Sequence, residues 1–177
     1  MRKVIWNYLI LLAIGAGVSA LAQAPQPGPE AKKLAMWAGN WQYEGNAKAS
    51  PLGPESKISG KQTGRLVAGG FAIQNTAEES GPFGGVQWGE IGVYDPASKT
   101  YRFLGYQNDG AVWQVTGSVT GAVWKFSGTM TAKDTSYWIR VEETFAADGK
   151  SFTWKAEIST DGKSWAPWAK TKSTKTS

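Results

Sequence analysis

The chain has 177 residues, 41% of them hydrophobic, and a formal net charge of +5. It contains ten tryptophans but no histidine and no cysteine. These absences exclude an imidazole general base, a Ser-His-Asp triad, a thiolate nucleophile, a disulfide and any metal held by His or Cys. The composition therefore favours packing and binding over catalysis, and we expect no cofactor.

Residues 1–22 are predicted to be a secretory signal peptide. Two basic residues precede an apolar stretch over 4–18, and Ala20 and Ala22 form a small-x-small cleavage pattern. The alternative is an uncleaved anchor, but the stretch is short of the roughly 20 apolar residues that a membrane span needs. We therefore expect a bacterial protein that is periplasmic or secreted, without stable membrane insertion after cleavage.

The basic balance of the chain does not indicate a nucleic-acid partner. Its excess positive charge lies in the signal peptide and in Lys170, Lys172 and Lys175, so that residues 23–169 are electrically balanced. Without a basic stripe to follow phosphates, nucleic-acid binding is not expected. Residues 173–177 are predicted to be a disordered basic tail.

The mature chain opens with one short helix and then changes to strands. Residues 23–33 are predicted to be a Pro-rich linker and the start of a helix over 30–38, which ends before Gly39. From Asn40 onward, apolar and polar residues alternate with a period of two, which is typical of half-buried strands. Strands are predicted near 40–48, 56–68, 70–79, 85–94, 100–108, 111–119, 122–130, 136–146, 150–159 and 164–172.

Turn signals separate these segments and define the topology. Several are short loops that contain Asp-Gly, so neighbours in sequence should pair as antiparallel hairpins. A closed barrel is favoured over a two-sheet sandwich because closure removes both exposed edges. We predict an all-β fold, an antiparallel up-and-down lipocalin-like barrel of about ten strands over residues 34–172.

The alternation also assigns the two faces of the predicted sheet. Lysines, arginines and glutamines share one face, which should point to solvent. The aromatic residues share the other, which should point inward. They are Trp41, Tyr43, Phe71, Trp88, Tyr94, Tyr101, Phe103, Trp113, Trp124, Phe126, Tyr137, Phe152 and Trp154.

Several glycine-centred motifs give the chain a family resemblance. They are Gly39-Asn40-Trp41 after the short helix, the stretch 60–65 leading to Gly69-Gly70-Phe71, the stretch 89–95, and the stretch 159–165. Together these motifs resemble the bacterial family known as domain of unknown function 1579, a lipocalin-like (calycin-type) barrel, over roughly residues 34–172. The resemblance implies the fold and small-ligand binding, but no established reaction. Nitrobindin-type relatives hold haem through a His, which this chain lacks, so haem binding is not carried over.

Candidate ligand-binding residues are those on the aromatic face. They are Trp41, Gln62, Trp88, Glu90, Tyr94, Trp113, Trp124 and Glu143. Among them, Glu90 shares its face with Trp88, so its carboxyl should be desolvated and its pKa raised unless it is paired. It would anchor the polar group of a ligand. The alternatives are a β-bulge that reverses its side, or pairing with an Arg, and for each Trp plain core packing.

Three functions remain open at this point. The first is an exported barrel that binds a small, mostly apolar molecule in an aromatic cavity, and the second is a hydrolase or isomerase that uses Glu90 or Glu143 as acid or base. The third is a ligand-free structural module of the envelope. A Trp-lined pocket of about 300 Å³ or more would favour the first, and a filled barrel the third. Two carboxylates roughly 5–9 Å apart would favour the second.

Overall fold

The computed structural model of the chain describes residues 24–81 and 84–176. The predicted signal peptide lies outside these residues. Ten strands follow a short helical segment within them. They are β1 (Gly39–Ala47), β2 (Ser56–Val67), β3 (Ala72–Gly81), β4 (Gly84–Asp95), β5 (Thr100–Gln107), β6 (Val112–Thr120), β7 (Val123–Ala132), β8 (Thr135–Phe145), β9 (Ser151–Ser159) and β10 (Ala166–Lys175).

The strands form one closed antiparallel barrel. Each strand pairs with its neighbours in sequence, and β1 also pairs with β10 to complete the ring. The turns match the sequence signals, since Gly110, Gly121, Gly149 and Gly162 all have positive φ, a conformation that glycine adopts without strain. The predicted all-β up-and-down barrel of ten strands is confirmed.

The inside of the barrel is filled largely by aromatic rings. Trp41, Tyr101 and Trp124 are among the largest fully buried side chains. The assignment of Phe71 to this inner face is wrong, because its side chain is 39% exposed. Residues 68–70 form a 3₁₀ turn, with φ of +66° at Gly69, so β3 begins later than the alternation predicted and Phe71 precedes it.

Inward-facing glycines leave room for neighbouring rings. A Cβ added to Gly105 would collide with the indole of Trp113, its partner residue on β6. A Cβ on Gly92 would collide in the same way with the ring of Phe103, its partner on β5. Each ring therefore occupies the space that a side chain on the opposite glycine would fill.

A short helical segment covers one end of the barrel. It consists of helix α1 (Pro29–Lys32) and a 3₁₀ turn over Lys33–Trp37, which is tighter than the continuous helix predicted over 30–38. Within this segment, the side chains of Leu34 and Trp37 are buried. In the described part of the chain, no helix is long and apolar enough to cross a membrane.

The C-terminal residues belong to the barrel. β10 continues to Lys175, so the prediction of a disordered tail over 173–177 is wrong for 173–175. Ser173 is 2% exposed and lies opposite Tyr43 of β1. The sequence did not predict this end of β10 because its inward residues, Thr171 and Ser173, are small hydroxyl residues rather than apolar ones.

Candidate functional site

A cavity of about 170 Å³ remains inside the barrel. Its lining combines apolar and polar side chains from all ten strands with Trp37 of the helical segment. The lining residues are Trp37, Tyr43, Ile58, Gln62, Glu79, Trp88, Glu90, Phe103, Gln107, Trp113, Val115, Phe126, Met130, Ile139, Val141, Glu143, Phe152, Trp154, Trp168, Ala169, Thr171 and Ser173.

Two glutamates face each other in the part of the cavity beneath the helical segment. Glu90 of β4 accepts hydrogen bonds from Asn75 Nδ2 at 3.0 Å and from Trp113 Nε1 at 3.2 Å. Glu143 of β8 accepts one from Trp37 Nε1 at 2.9 Å. The two strands are separated by β5, β6 and β7 in the ring, so these carboxyls approach across the lumen.

A third carboxyl, that of Glu79, belongs to a separate polar cluster. The Tyr43 hydroxyl donates to Glu79 Oε2 at 2.9 Å and accepts from Trp88 Nε1 at 3.2 Å. Glu79 is four positions further along β3 than Asn75, the partner of Glu90, which corresponds to roughly 13 Å along a strand. The cavity therefore has a carboxyl group toward each end.

Burial makes all three carboxyls weak acids. Desolvation raises the pKa of Glu79 and that of Glu90. Desolvation, together with repulsion from Glu90, raises the pKa of Glu143 to about 8. The hydrogen bonds from the indoles oppose these shifts without cancelling them. Glu143 therefore holds its proton at neutral pH.

Indole and phenyl rings form the walls between the two polar clusters. Trp88 and Trp113 meet edge to face with centroids 6.3 Å apart, and Trp154 and Trp168 do so at 5.9 Å. Such contacts fix ring orientations beyond what area burial alone provides. The walls are thus rigid, flat and apolar.

Polar side chains also contribute to the cavity wall. Gln62 and Ser173 are 7% and 2% exposed and line the cavity. The buried Oε1 of Gln107 has no hydrogen-bond partner within the described residues. Buried polar groups are normally satisfied, so this oxygen indicates that something other than protein completes its hydrogen bond.

The structure brings five of the eight predicted site residues together at the cavity. They are Gln62, Trp88, Glu90, Trp113 and Glu143. Trp41, Tyr94 and Trp124 do not line it. Trp41 packs on Phe152, and Trp124 is wedged between Trp37 and Tyr101.

Tyr94 is likewise a packing residue, since its ring lies 5.0 Å from that of Tyr101. The three aromatic residues have the predicted inward orientation but lie at a different height in the barrel. Their role is to fill the interior, which is the alternative that the sequence left open.

Sequence reasoning missed Glu79, Trp37 and Trp168. Glu79 has the same parity as the inward residues Ile73 and Asn75, and this signal was present in the alternation of β3. Trp37 lies in the helical segment, where no strand period applies. The contact of its indole with Glu143, 106 residues away, has no local signature.

The three carboxyls do not form a metal site. Among residues 24–81 and 84–176, no group of three or more His, Cys, Asp or Glu side chains is placed to hold a metal ion. The arrangement suits the binding of a small molecule by hydrogen bonds and aromatic contacts.

These features define the class of the protein, a closed ten-stranded antiparallel lipocalin-like barrel with an aromatic internal cavity. A family model described as "Protein of unknown function (DUF1579)" matches residues 26–166, and the chain belongs to this family. The resemblance seen in the sequence motifs is thereby confirmed.

Solved structures show the same fold. Rv2717c from M. tuberculosis superimposes with a TM-score of 0.61 at 13% sequence identity, over 85% of this chain and 99% of that chain. At this identity the likeness concerns the fold alone. A comparison with curated proteins yields no match.

Proposed function

We propose that the protein binds a small, mostly apolar molecule in the barrel cavity, with Glu90 hydrogen-bonding its polar group. The observation that carries this proposal is a lumen of about 170 Å³ left unfilled among rigid indoles. A barrel whose only role was structural would gain stability by packing this space, because interiors are normally close-packed. The unpartnered carbonyl oxygen of Gln107 on the wall also supports a bound molecule.

The volume limits the size of the ligand. It does not reach the volume of about 300 Å³ expected from the sequence for a ligand pocket, which is the lower end of the range of about 300–1,000 Å³ that is usual for drug-sized ligands. It is close to that of an engineered apolar cavity of about 150 Å³ that binds benzene. The ligand of this cavity is therefore a compact molecule with about one ring.

Acid–base catalysis is the second candidate, and one observation favours it. Glu143 carries a proton at neutral pH because its pKa is about 8, as a general acid must. Catalytic pairs, however, need environments that push their pKa values apart, so that one partner is ionised. Here the pKa of Glu90 is raised as well, which makes binding the better-supported function.

We place this function outside the cytoplasm, on the strength of the signal-peptide pattern over residues 1–22. Native mass spectrometry of the protein purified from its own host tests both location and ligand. We expect a chain that has lost residues 1–22 and carries a small additional mass. A chain of 177 residues would contradict export, and a bare polypeptide mass would count against a resident ligand.

Ligand binding itself is tested by filling the cavity. In titrations with toluene and benzyl alcohol, we expect both to change the tryptophan fluorescence of the wild-type protein. Val141→Phe, which places a ring in the cavity, should weaken the binding of both compounds at least tenfold, because the new ring occupies the space of the ligand. Val112→Phe adds the same ring to the outer surface, where Val112 is 46% exposed, and serves as the control.

Circular dichroism confirms that each variant is folded before its affinity is compared. Equal affinities in Val141→Phe and the wild type would place any bound molecule elsewhere. Absence of binding by both compounds and by their amine analogue benzylamine to the wild type would contradict the proposed function.

A further inference from the structure

The cavity is lined by carboxyl groups that can become negatively charged, and no basic side chain of the described residues lines it with them. Glu79, Glu90 and Glu143 line it, and within the described residues no Lys or Arg side chain does. None of the three glutamates takes part in the ion pairs of the described chain, which all lie at the surface. Buried carboxyls are usually paired with a cation or coordinate a metal, and here the protein supplies neither.

The hydrogen-bonding groups show the same imbalance. The indole N–H groups of Trp37 and Trp113 already donate to the carboxyls. Two buried carbonyl oxygens at the site lack a donor, that of Gln107 and that of Asn75, whose amide nitrogen donates to Glu90. These oxygens and the carboxyls can accept hydrogen bonds from a ligand rich in N–H groups.

The aromatic walls favour the same chemistry. The faces of indole rings carry negative electrostatic potential and attract organic cations, most strongly when the cation is desolvated. Trp88 and Trp113 form one edge-to-face pair on this wall, and Trp154 and Trp168 form another. A neutral apolar ligand would gain from the rings but would leave the carboxyls unmatched.

We propose that the ligand of this cavity is a small organic cation, a primary ammonium group on a body of about one ring. The ammonium group lies between the carboxyls of Glu90 and Glu143, and the apolar body lies among the indoles. This inference rests on the proposed function, since it specifies the ligand of the same cavity. A bare metal ion is disfavoured because the carboxyls of the described chain are not gathered into a metal-holding group.

The acidity of the site supports this assignment. The carboxyl and phenol groups that line the cavity together with Glu143 are those of Glu90 nearby and of Glu79 and Tyr43 toward the other end, all of which are neutral or negative. Desolvation, together with repulsion from Glu90, keeps Glu143 protonated at neutral pH. An ammonium group beside it replaces that repulsion by attraction and lowers the pKa of the carboxyl, so binding of the cation should be accompanied by release of a proton.

Isothermal titration calorimetry with a matched pair of compounds tests the inference. Benzylamine and benzyl alcohol have nearly the same shape and differ in charge, and benzoate supplies the opposite charge. At pH 7 we expect benzylamine to bind at least tenfold more tightly than benzyl alcohol, and benzoate not to bind. Titrations in two buffers of different ionisation enthalpy should show proton release with benzylamine and none with the alcohol.

Carboxyl-to-amide variants identify the groups responsible. Glu90→Gln and Glu143→Gln each keep a hydrogen-bonding side chain of the same size and remove the negative charge. Each should reduce the preference for benzylamine over benzyl alcohol, measured as the ratio of the two dissociation constants in the same variant, at least fivefold. Glu78→Gln is the control, because Glu78 precedes Glu79 on β3 but points to solvent.

The outcomes separate this inference from the proposed function. If benzyl alcohol binds and benzylamine binds no more tightly, the cavity takes neutral ligands and the inference is overturned while the proposed function stands. If the preference survives in both Glu→Gln variants, the ammonium group does not lie between these carboxyls. If none of the compounds binds, the proposed function itself fails.

Discussion

Three glutamates inside this barrel have pKa values above the usual range of a carboxyl group. Glu79, Glu90 and Glu143 are carboxyls in an aromatic interior, and each is held by donors that are themselves aromatic side chains or an amide. Such donors orient a carboxyl without neutralising it. Their protonation therefore depends on what else occupies the cavity, which makes these residues sensitive to pH.

Stability should fall with rising pH because of Glu143. Its pKa is 4.5 when unperturbed and about 8 in the folded protein, so between these values the folded state binds more protons than the unfolded state. The contribution of Glu143 to the free energy of unfolding should then decrease from pH 4.5 to pH 8, by at most about 1.4 kcal/mol per pH unit. Glu143→Gln should flatten this part of the profile in urea unfolding of the ligand-free protein.

The comparison variant is again Glu78→Gln, whose profile should run parallel to that of the wild type. If Glu143→Gln also runs parallel to the wild type between pH 5 and 8, Glu143 is not the titrating group. Glu79 and Glu90 act in the same direction, so the wild-type slope contains contributions from all three.

In paired strands, a glycine on one strand determines how closely an aromatic ring on the neighbouring strand can approach it. Gly105 and Trp113 lie opposite each other on β5 and β6, and the indole occupies the space of the missing side chain. The same indole donates to Glu90. The position of one hydrogen-bond donor in the cavity thus depends on a glycine in the neighbouring strand.

Gly105→Ala should therefore lower stability by about 1–3 kcal/mol, the usual range for an overpacked interior. The added methyl group displaces the Trp113 ring and lengthens its hydrogen bond to Glu90. Gly85→Ala is the matched control on β4, because nothing lies within 4 Å of its added Cβ. Equal chemical-denaturation midpoints for the two variants would show that the ring is not held against Gly105.

The strand elements were largely predictable, but the composition of the site was only partly so. Alternation and Asp-Gly turns define strands and their inner faces, which is why Gln62, Trp88 and Glu90 were placed correctly toward the interior. Alternation does not give the height of a residue along the barrel axis, and so Trp41 and Trp124 were grouped with the cavity although they pack against Trp37 of the helical segment at one end of the barrel.

Contacts across the lumen could not be predicted from the sequence. The approach of Glu143 to Glu90 depends on the tilt and stagger of strands that do not pair with each other, and these are properties of the closed ring. The same applies to the bond from Trp37 to Glu143, because a short 3₁₀ turn carries no period that aims its indole.

At the scale of the whole molecule, closure depends on β10. Its residues 170–175 form six residue pairs with β1, from Asn46↔Lys170 to Trp41↔Lys175. They also bury Thr171 and Ser173 on the cavity wall. The C-terminal strand therefore contributes both to closing the ring and to shaping its interior.

A chain that ends at Ala169 should lose its cooperative thermal transition. Each net hydrogen bond is worth about 0.5–1.5 kcal/mol, so the loss of the β1–β10 ladder removes a large part of a typical stability of about 5–15 kcal/mol. It also exposes two strand edges. A chain that ends at Lys175 keeps the ladder and should melt like the wild type, and similar melting of both chains would contradict a ring closed by β10.

The pairing of the first strand with the last has a consequence for biosynthesis. Because the first of the ten strands pairs with the last, a ribosome must deliver β10 before the ring can close. Until then, the nascent polypeptide holds nine strands with open edges and long-range contacts still to form, a slow and aggregation-prone condition. A chaperone that shields the edge of β1 would act during this interval.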